Sequence, residues 1–270
     1  MATLQNRARE SAASEGCDFA PIDAHCHLHH PAFDSDRDSV LARAREGLAG
    51  VVVSACSPEE VEPVLALRRA HPGFVHAALG LHPSALLRTT GAAIQDYMDR
   101  LRDLRGQMVA VGEFGFDYKW VREPAQQKRM GEVADRFLDL AKELRLPAVL
   151  HMRNAPEEDY RRVLDSGVPC QFHCWTASRS LALEAASRGH LVSIAPNVAK
   201  FKNPKRAAES APLESLVVET DAPFFGLGER TEPGDVAGVC RAVAEFRGED
   251  PARVARATAE NAVRFFRFFE

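Results

Sequence analysis

GVVVSACSPEEVEPVLALRRAHPGFVHAALG, Gly50 to Gly80, reads as strand, helix and strand in one stretch. GVVVSA, ending at Ala55, and FVHAALG, ending at Gly80, are short apolar runs with few polar interruptions. Strands that are apolar on both sides are buried on both faces, which is the habit of parallel sheets. Parallel neighbours need a crossover, usually a helix. The segment between supplies one. Ser57 stands as N-cap, Pro58 at the first helical position and Glu60 three residues after the cap. Val61, Val64, Leu65 and Leu67 then follow at roughly helical spacing.

The same alternation extends in both directions. Before it comes FAPIDA, ending at Ala24, and after it MVAVG (to Gly112), PAVL (to Leu150), VPCQF (to Phe172), HLVSIA (to Ala195) and LVVET (to Thr220). Ala125 to Arg145 forms a long amphipathic helix, with Met130, Val133, Phe137, Leu140, Ala141 and Leu144 on one stripe. DPARVARATAENAVRFFRFF closes the chain as a helix that turns Val254, Val263 and Phe266 inward. Eight strand–helix units in about 250 residues define an α/β protein of the TIM-type (β/α)8 barrel class. An open doubly wound sheet is the runner-up, but no Gly-rich phosphate loop follows the first run.

The chain has 270 residues, 46% hydrophobic and 27% charged, in keeping with a single globular domain over 20–270. Residues 1–19 are polar and carry no apolar run of signal-peptide length, so a frayed tail is expected there. No stretch reaches the roughly 18 apolar residues of a membrane helix. Six cysteines are scattered without a CxxC pair, as in a reducing compartment, and a cytoplasmic setting is expected. A net charge of -4 excludes a uniformly basic nucleic-acid clamp, though a cleft can oppose the global balance. No motif sets an oligomeric state, and a monomer is the working expectation.

In such a barrel the active site lies at the C-terminal ends of the strands. The first polar residues after each run are therefore diagnostic. They are His25 and His27, then Glu113, His151, His173 and Asp221. His25 and His27 are two apart on an extended segment, so both point the same way. Imidazole with carboxylate suits zinc, manganese, iron or cobalt, and carboxylates also accept magnesium. Six ligands exceed one tetrahedral site with an open position, whereas two ions bridged by Glu113 would use them all. A single histidine at a strand end is usually a hydrogen-bonding partner; packing gives no reason for four. Asp23 is read as a buried supporting carboxylate, His29 and His30 as solvated or rim residues, and His71, His76 and His190 as packing or surface.

DAHCHL, VGEFGFDY, PAVLHMR, FHCWTAS and VVETDAP, with LGLHP and NAVRFF, resemble in order and spacing the TatD family of metal-dependent deoxyribonucleases in the amidohydrolase superfamily. The resemblance covers about residues 20 to 267. It implies two divalent cations, the first held by His25, His27, Glu113 and Asp221, the second by Glu113, His151 and His173. It further implies cleavage of phosphodiesters, with 3′-end trimming of single-stranded DNA as the expected activity. Asp221 would orient the attacking water and take its proton, and Glu113 would bridge the ions. Arg153 is placed to contact a phosphate, His82 to line the substrate side, and Lys119 and Trp120 to meet backbone and base. An ester or amide hydrolase, such as a D-aminoacyl-tRNA deacylase, is the alternative, and an inactive binding scaffold a third. The chain departs from the family pattern at GLGERTEP after Asp221, where Thr231 replaces an asparagine. It departs again at Trp175 and Ala177, and at His29, where aspartate is frequent.

Overall fold

The computed structural model describes residues 20–225 and 230–268. The tail expected at 1–19 lies outside the described residues. Eight strands form one sheet in sequential order: β1 (Ile22–Cys26), β2 (Gly50–Ala55), β3 (Val75–Leu79), β4 (Ala110–Asp117), β5 (Ala148–Arg153), β6 (Cys170–Phe172), β7 (Leu191–Ile194) and β8 (Leu216–Val218). Every neighbouring pair from β1 to β8 is parallel. The sheet curls into a nearly closed TIM-type barrel.

The seam between β8 and β1 is bridged just past the strand ends. Asp221 N donates to His25 O at 2.9 Å and His27 N to Ala222 O at 2.7 Å. Asp23, fully buried, reinforces it. Its Oδ1 accepts from Thr220 N at 2.9 Å and its Oδ2 from the Thr220 hydroxyl at 2.5 Å. Asp23 is thus a clasp between first and last strands.

Helices cross over between strands: α1 (Arg37–Gly47), α2 (Val61–Ala70), α3 (Pro83–Leu86), α4 (Gly91–Asp103), α5 (Pro124–Leu144), α6 (Glu157–Leu164), α7 (Arg179–Ser187) and α8 (Lys202–Ser210). Two more, α9 (Val236–Arg247) and α10 (Pro251–Phe266), follow β8. The period-2 alternation of strands sorts the core. Val51, Val53 and Ala55 of β2 face the helices in the larger apolar cluster. Val52 joins a smaller one with Ala24, Ala78, Ala110, Val149 and Val217, the inward layer of the barrel. Ala259, Ala262 and Phe266 of α10 belong to that inner cluster and cover the N-terminal end.

The structure differs from the local signals at two places. Ser57 is an N-cap whose side chain makes no capping bond, and the first turn, Pro58–Glu60, is 3-10. Glu60 bonds Cys56 N at 2.6 Å instead of closing a capping box. β1 and β4 run past the ends of their apolar runs, to Cys26 and Asp117, because their polar side chains find partners inside the barrel mouth. β4 passes so close to the end of β3 that a Cβ on Gly80 would lie 2.6 Å from Glu113 O. Only glycine lets Glu113 sit there.

Candidate metal centre

Glu113 organises the mouth. Its Oε2 is 3.3 Å from His25 Nε2 and 3.8 Å from His27 Nε2. Its Oε1 is 2.7 Å from His151 Nδ1 and 3.2 Å from His173 Nε2. Asp221 Oδ1 completes the first side, 3.2 Å from His27 Nε2 and 3.7 Å from His25 Nε2. All six residues foreseen as ligands converge. Their ligand atoms form overlapping groups within 4.8 Å, among them His25–His27–Glu113 and Glu113–His151–His173.

Each imidazole has its second nitrogen engaged outside the cluster. His27 Nδ1 donates to the Ser54 carbonyl at 2.9 Å, and His25 Nδ1 meets the Ser54 hydroxyl at 3.2 Å. His173 Nδ1 donates to Glu219 Oε1 at 3.0 Å, and His151 Nε2 to Asp117 Oδ2 at 3.2 Å. Such outer acceptors fix ring orientation and leave the inner lone pair for a cation, the habit of metal-bound histidines. The donor set therefore fits divalent metal.

Glu219 and Asp117 were not singled out in the sequence. Glu219 is fully buried and also accepts from Cys174 N at 2.7 Å, from Gln171 Nε2 at 3.3 Å and from the Ser193 hydroxyl. Asp117 accepts from the backbone nitrogens of Lys119 and Trp120 at 2.9 and 3.1 Å. Period 2 was the available signal, since Glu219 shares parity with Asp221, and Asp117 with Glu113.

The electrostatics call for positive charge. Burial would lift Glu113, but His173, His151 and His25 hold its carboxyl well below the usual range. Asp221, also pushed up by burial, is brought below its ordinary value by His27 and His173. Burial opposes a charge on His27, yet the Asp221 carboxylate draws it up to about 9.

A cavity of about 930 Å³ opens over this cluster, lined on its walls by His82, Arg153, Asn154, Phe201, Phe224 and others. Arg153, at the end of β5, is exposed and has no carboxylate partner among the described residues. His82 caps α3 through Nδ1, and its Nε2 lies 3.8 Å from Glu113 Oε1. Burial and the neighbouring His151 push its pKa down to about 3, so the ring is neutral. Lys119 and Trp120 do not line the cavity; Trp120 is 60% exposed with the Lys119 ammonium over its ring. Asp117 explains this, because its bonds to both backbone nitrogens fold that turn away.

His29 is not solvated. Its side chain is only 6% exposed, and Nε2 pairs with Glu60 Oε2 at 3.0 Å on the cavity wall. His30, half-buried, caps the single turn Pro31–Phe33. His76 and His190 are buried far from this cluster, His76 stacked on Phe268 with ring centroids 3.7 Å apart. Trp175 fills a pocket against Tyr160 and Phe172, and its Nε1 donates to Ala177 O at 3.1 Å. Thr231, in the departing loop, bonds the carbonyl of Phe224, whose ring meets His27 edge-on at 5.7 Å.

The described residues hold six non-glycine residues with positive φ. Arg145 and Arg267 end helices, but Asn154, Cys174, Asp221 and Phe225 all line the cavity. Asparagine and aspartate tolerate left-handed backbone, but it is unfavourable for Cys174 and Phe225, and such conformations gather at functional sites.

The family model described as "TatD related DNase" matches residues 22–267. This chain belongs to the TatD-related DNases. It is a metal-dependent hydrolase of ester bonds. A 3′-5′ ssDNA/RNA exonuclease of Erwinia tasmaniensis is 30% identical, over 91% of this chain and 99% of its own. An uncharacterised metal-dependent hydrolase of Methanocaldococcus jannaschii is 31% identical, over 93% of this chain and 98% of its own. The crystal structure of a TatD homologue of Escherichia coli superposes with a TM-score of 0.82 at 28% identity, covering 93% of this chain and 98% of that one. No helix of the described residues is long and apolar enough to cross a membrane.

Proposed function

We propose that the chain trims single-stranded DNA from the 3′ end, with two divalent cations bridged by Glu113. The observation that carries this reading is the division of Glu113: Oε2 serves His25 and His27, Oε1 serves His151 and His173. A carboxylate with one oxygen in each of two histidine sets is suited to a pair of ions. Asp221 completes the first set. Cations there, drawn from magnesium, manganese, zinc, cobalt or iron, would lower the pKa of a bound water and offset phosphoryl charge.

The chain's own groups account for the rest. Asp221 Oδ1 is committed to the histidine pair, leaving Oδ2 to take a proton from the attacking water. Arg153 offers a guanidinium to the phosphate, and neutral His82 forms the wall beside Glu113. Free cysteines at Cys26, Cys56, Cys170, Cys174 and Cys240 support a reducing, cytoplasmic setting. A monomer is the simplest assembly, since the six candidate ligands come from one chain.

The test combines metal analysis with digestion of 5′-labelled single strands. Two equivalents of metal and a ladder shortening from the 3′ end are expected. Absence of cleavage with magnesium, manganese, cobalt and zinc overturns the assignment. Asp221→Asn should lose turnover while retaining most of the metal; unchanged activity would refute its proton role.

A further inference from the structure

Phe201 stands in the loop between β7 and α8, where neither packing nor local propensity explains a phenylalanine. It is 59% exposed. It occupies the N-cap of α8 and makes no side-chain capping bond. Serine, threonine, aspartate or asparagine would stabilise that position. Its neighbours compound the anomaly. Lys200 and Lys202 flank it, both exposed, and α8 has no acidic residue in its first turn. Cations at that end oppose the helix dipole. Lys205 is engaged elsewhere, its ammonium 4.4 Å from the Phe246 ring, but Lys200 and Lys202 have no ion pair among the described residues. Phe201, Lys202 and Asn203 all line the cavity above the histidine–carboxylate cluster. The local structure is held: Phe201 N donates to Asn197 O at 3.0 Å, and Asn203 Nδ2 to Thr176 O at 3.0 Å.

We propose that this loop grips an unpaired nucleotide: Phe201 stacks on a base near the scissile phosphate, and Lys200 and Lys202 hold the adjoining backbone. The assignment rests on the nuclease reading above and names the residues that select a single strand. An exposed ring can stack on any base, most readily on one that is unpaired and has a free face, and flanking cations match a polyanion. The ring sits on the wall of the cavity that holds the cluster, so strand selection is coupled to position.

Three oligonucleotides test this: an ordinary single strand, the same strand abasic at its 3′ terminal nucleotides, and one carrying 2-aminopurine there. Phe201→Ala should cut kcat/KM on the ordinary strand about 5- to 150-fold, the range for one lost stacking contact. The loss on the abasic strand should be much smaller, and Phe201→Trp should restore discrimination. In the Asp221→Asn background, 2-aminopurine fluorescence should be quenched on binding and recover with Phe201→Ala. Lys200→Gln with Lys202→Gln should reduce the slope of log Kd against log salt by about 0.7 per lysine, as for single strands. Equal losses on ordinary and abasic strands, or unchanged quenching in Phe201→Ala, overturn the proposal. A wild-type enzyme active on single strands but indifferent to Phe201 sinks this inference alone. A wild type inert on every oligonucleotide sinks the nuclease reading as well.

Discussion

Histidines are buried at both ends of this barrel, and the two ends use them in opposite ways. At the N-terminal end His76 lies stacked on Phe268, beside an inner layer covered by Phe266. His190 accepts from Cys170 N at 3.2 Å near the start of β6. Burial first, and then Arg68 and Arg188 respectively, push both pKa values down to about 4, so both rings are neutral packing groups. At the C-terminal end four rings each have an outer partner and turn the other nitrogen towards Glu113. Burial is common to both ends. The discriminating feature is the shared inner carboxylate, since His76 and His190 also reach backbone groups, at Gly73 and Leu164, but neither pairs with a carboxylate among the described residues.

Glu113→Gln is the severest way to break that contrast. Phosphodiesterase activity should fall on the order of a thousandfold or more, with loss of bound metal in elemental analysis. His76→Gln should leave metal content unchanged; equal metal loss in both variants would erase the distinction.

Phe266→Ala should cost about 3–5 kcal/mol of stability in denaturant titration, the usual range for emptying a buried aromatic site. Metal bound per folded molecule should stay the same. A selective loss of metal would mean the two ends are not independent.

Between these lie the outer partners. Glu219→Gln and Asp117→Asn should each weaken metal affinity about 10- to 100-fold while the fold persists. Competition with a chelator measures this, and wild-type affinity in both variants would reduce these residues to packing.

The last contrast is acid sensitivity at the N-terminal end. His76 and His190 titrate near 6.5 when unfolded and near 4 when folded. Their contribution is therefore complete above about 6.5 and is lost as pH falls towards 4, by no more than about 3 kcal/mol each. His76→Phe should flatten one of those two steps in stability measured against pH. An unchanged profile would remove His76 from the account.

The barrel was legible because its strands are unbroken apolar runs separated by helical periodicity, a pattern that depends on burial alone. The six converging residues were legible for the same reason, as the first polar groups after those runs. Asp117 and Glu219 escaped because a run-based reading ends β4 at Gly112 and absorbs Glu219 into LVVET. Their roles depend on which way a side chain turns, and a three-dimensional neighbour decides that. Trp120 is the more conspicuous aromatic in the sequence, next to Lys119, yet the Asp117 turn excludes it from the cavity. Phe201 carries no sequence signal, because only its exposure and its place on the cavity wall set it apart.

The Asp23–Thr220 clasp joins residues 197 positions apart, and His25 meets Asp221 across the same seam. During synthesis at 5–20 residues per second, roughly 10 to 40 s separate the emergence of those two partners from the ribosome. The first histidine pair must wait that long, carried on an unclosed sheet, before its carboxylate arrives. Any metal held by the complete set would therefore have to await the emergence of β8, and a chain that stops short of β8 carries the histidines without the seam that brings Asp221 to them.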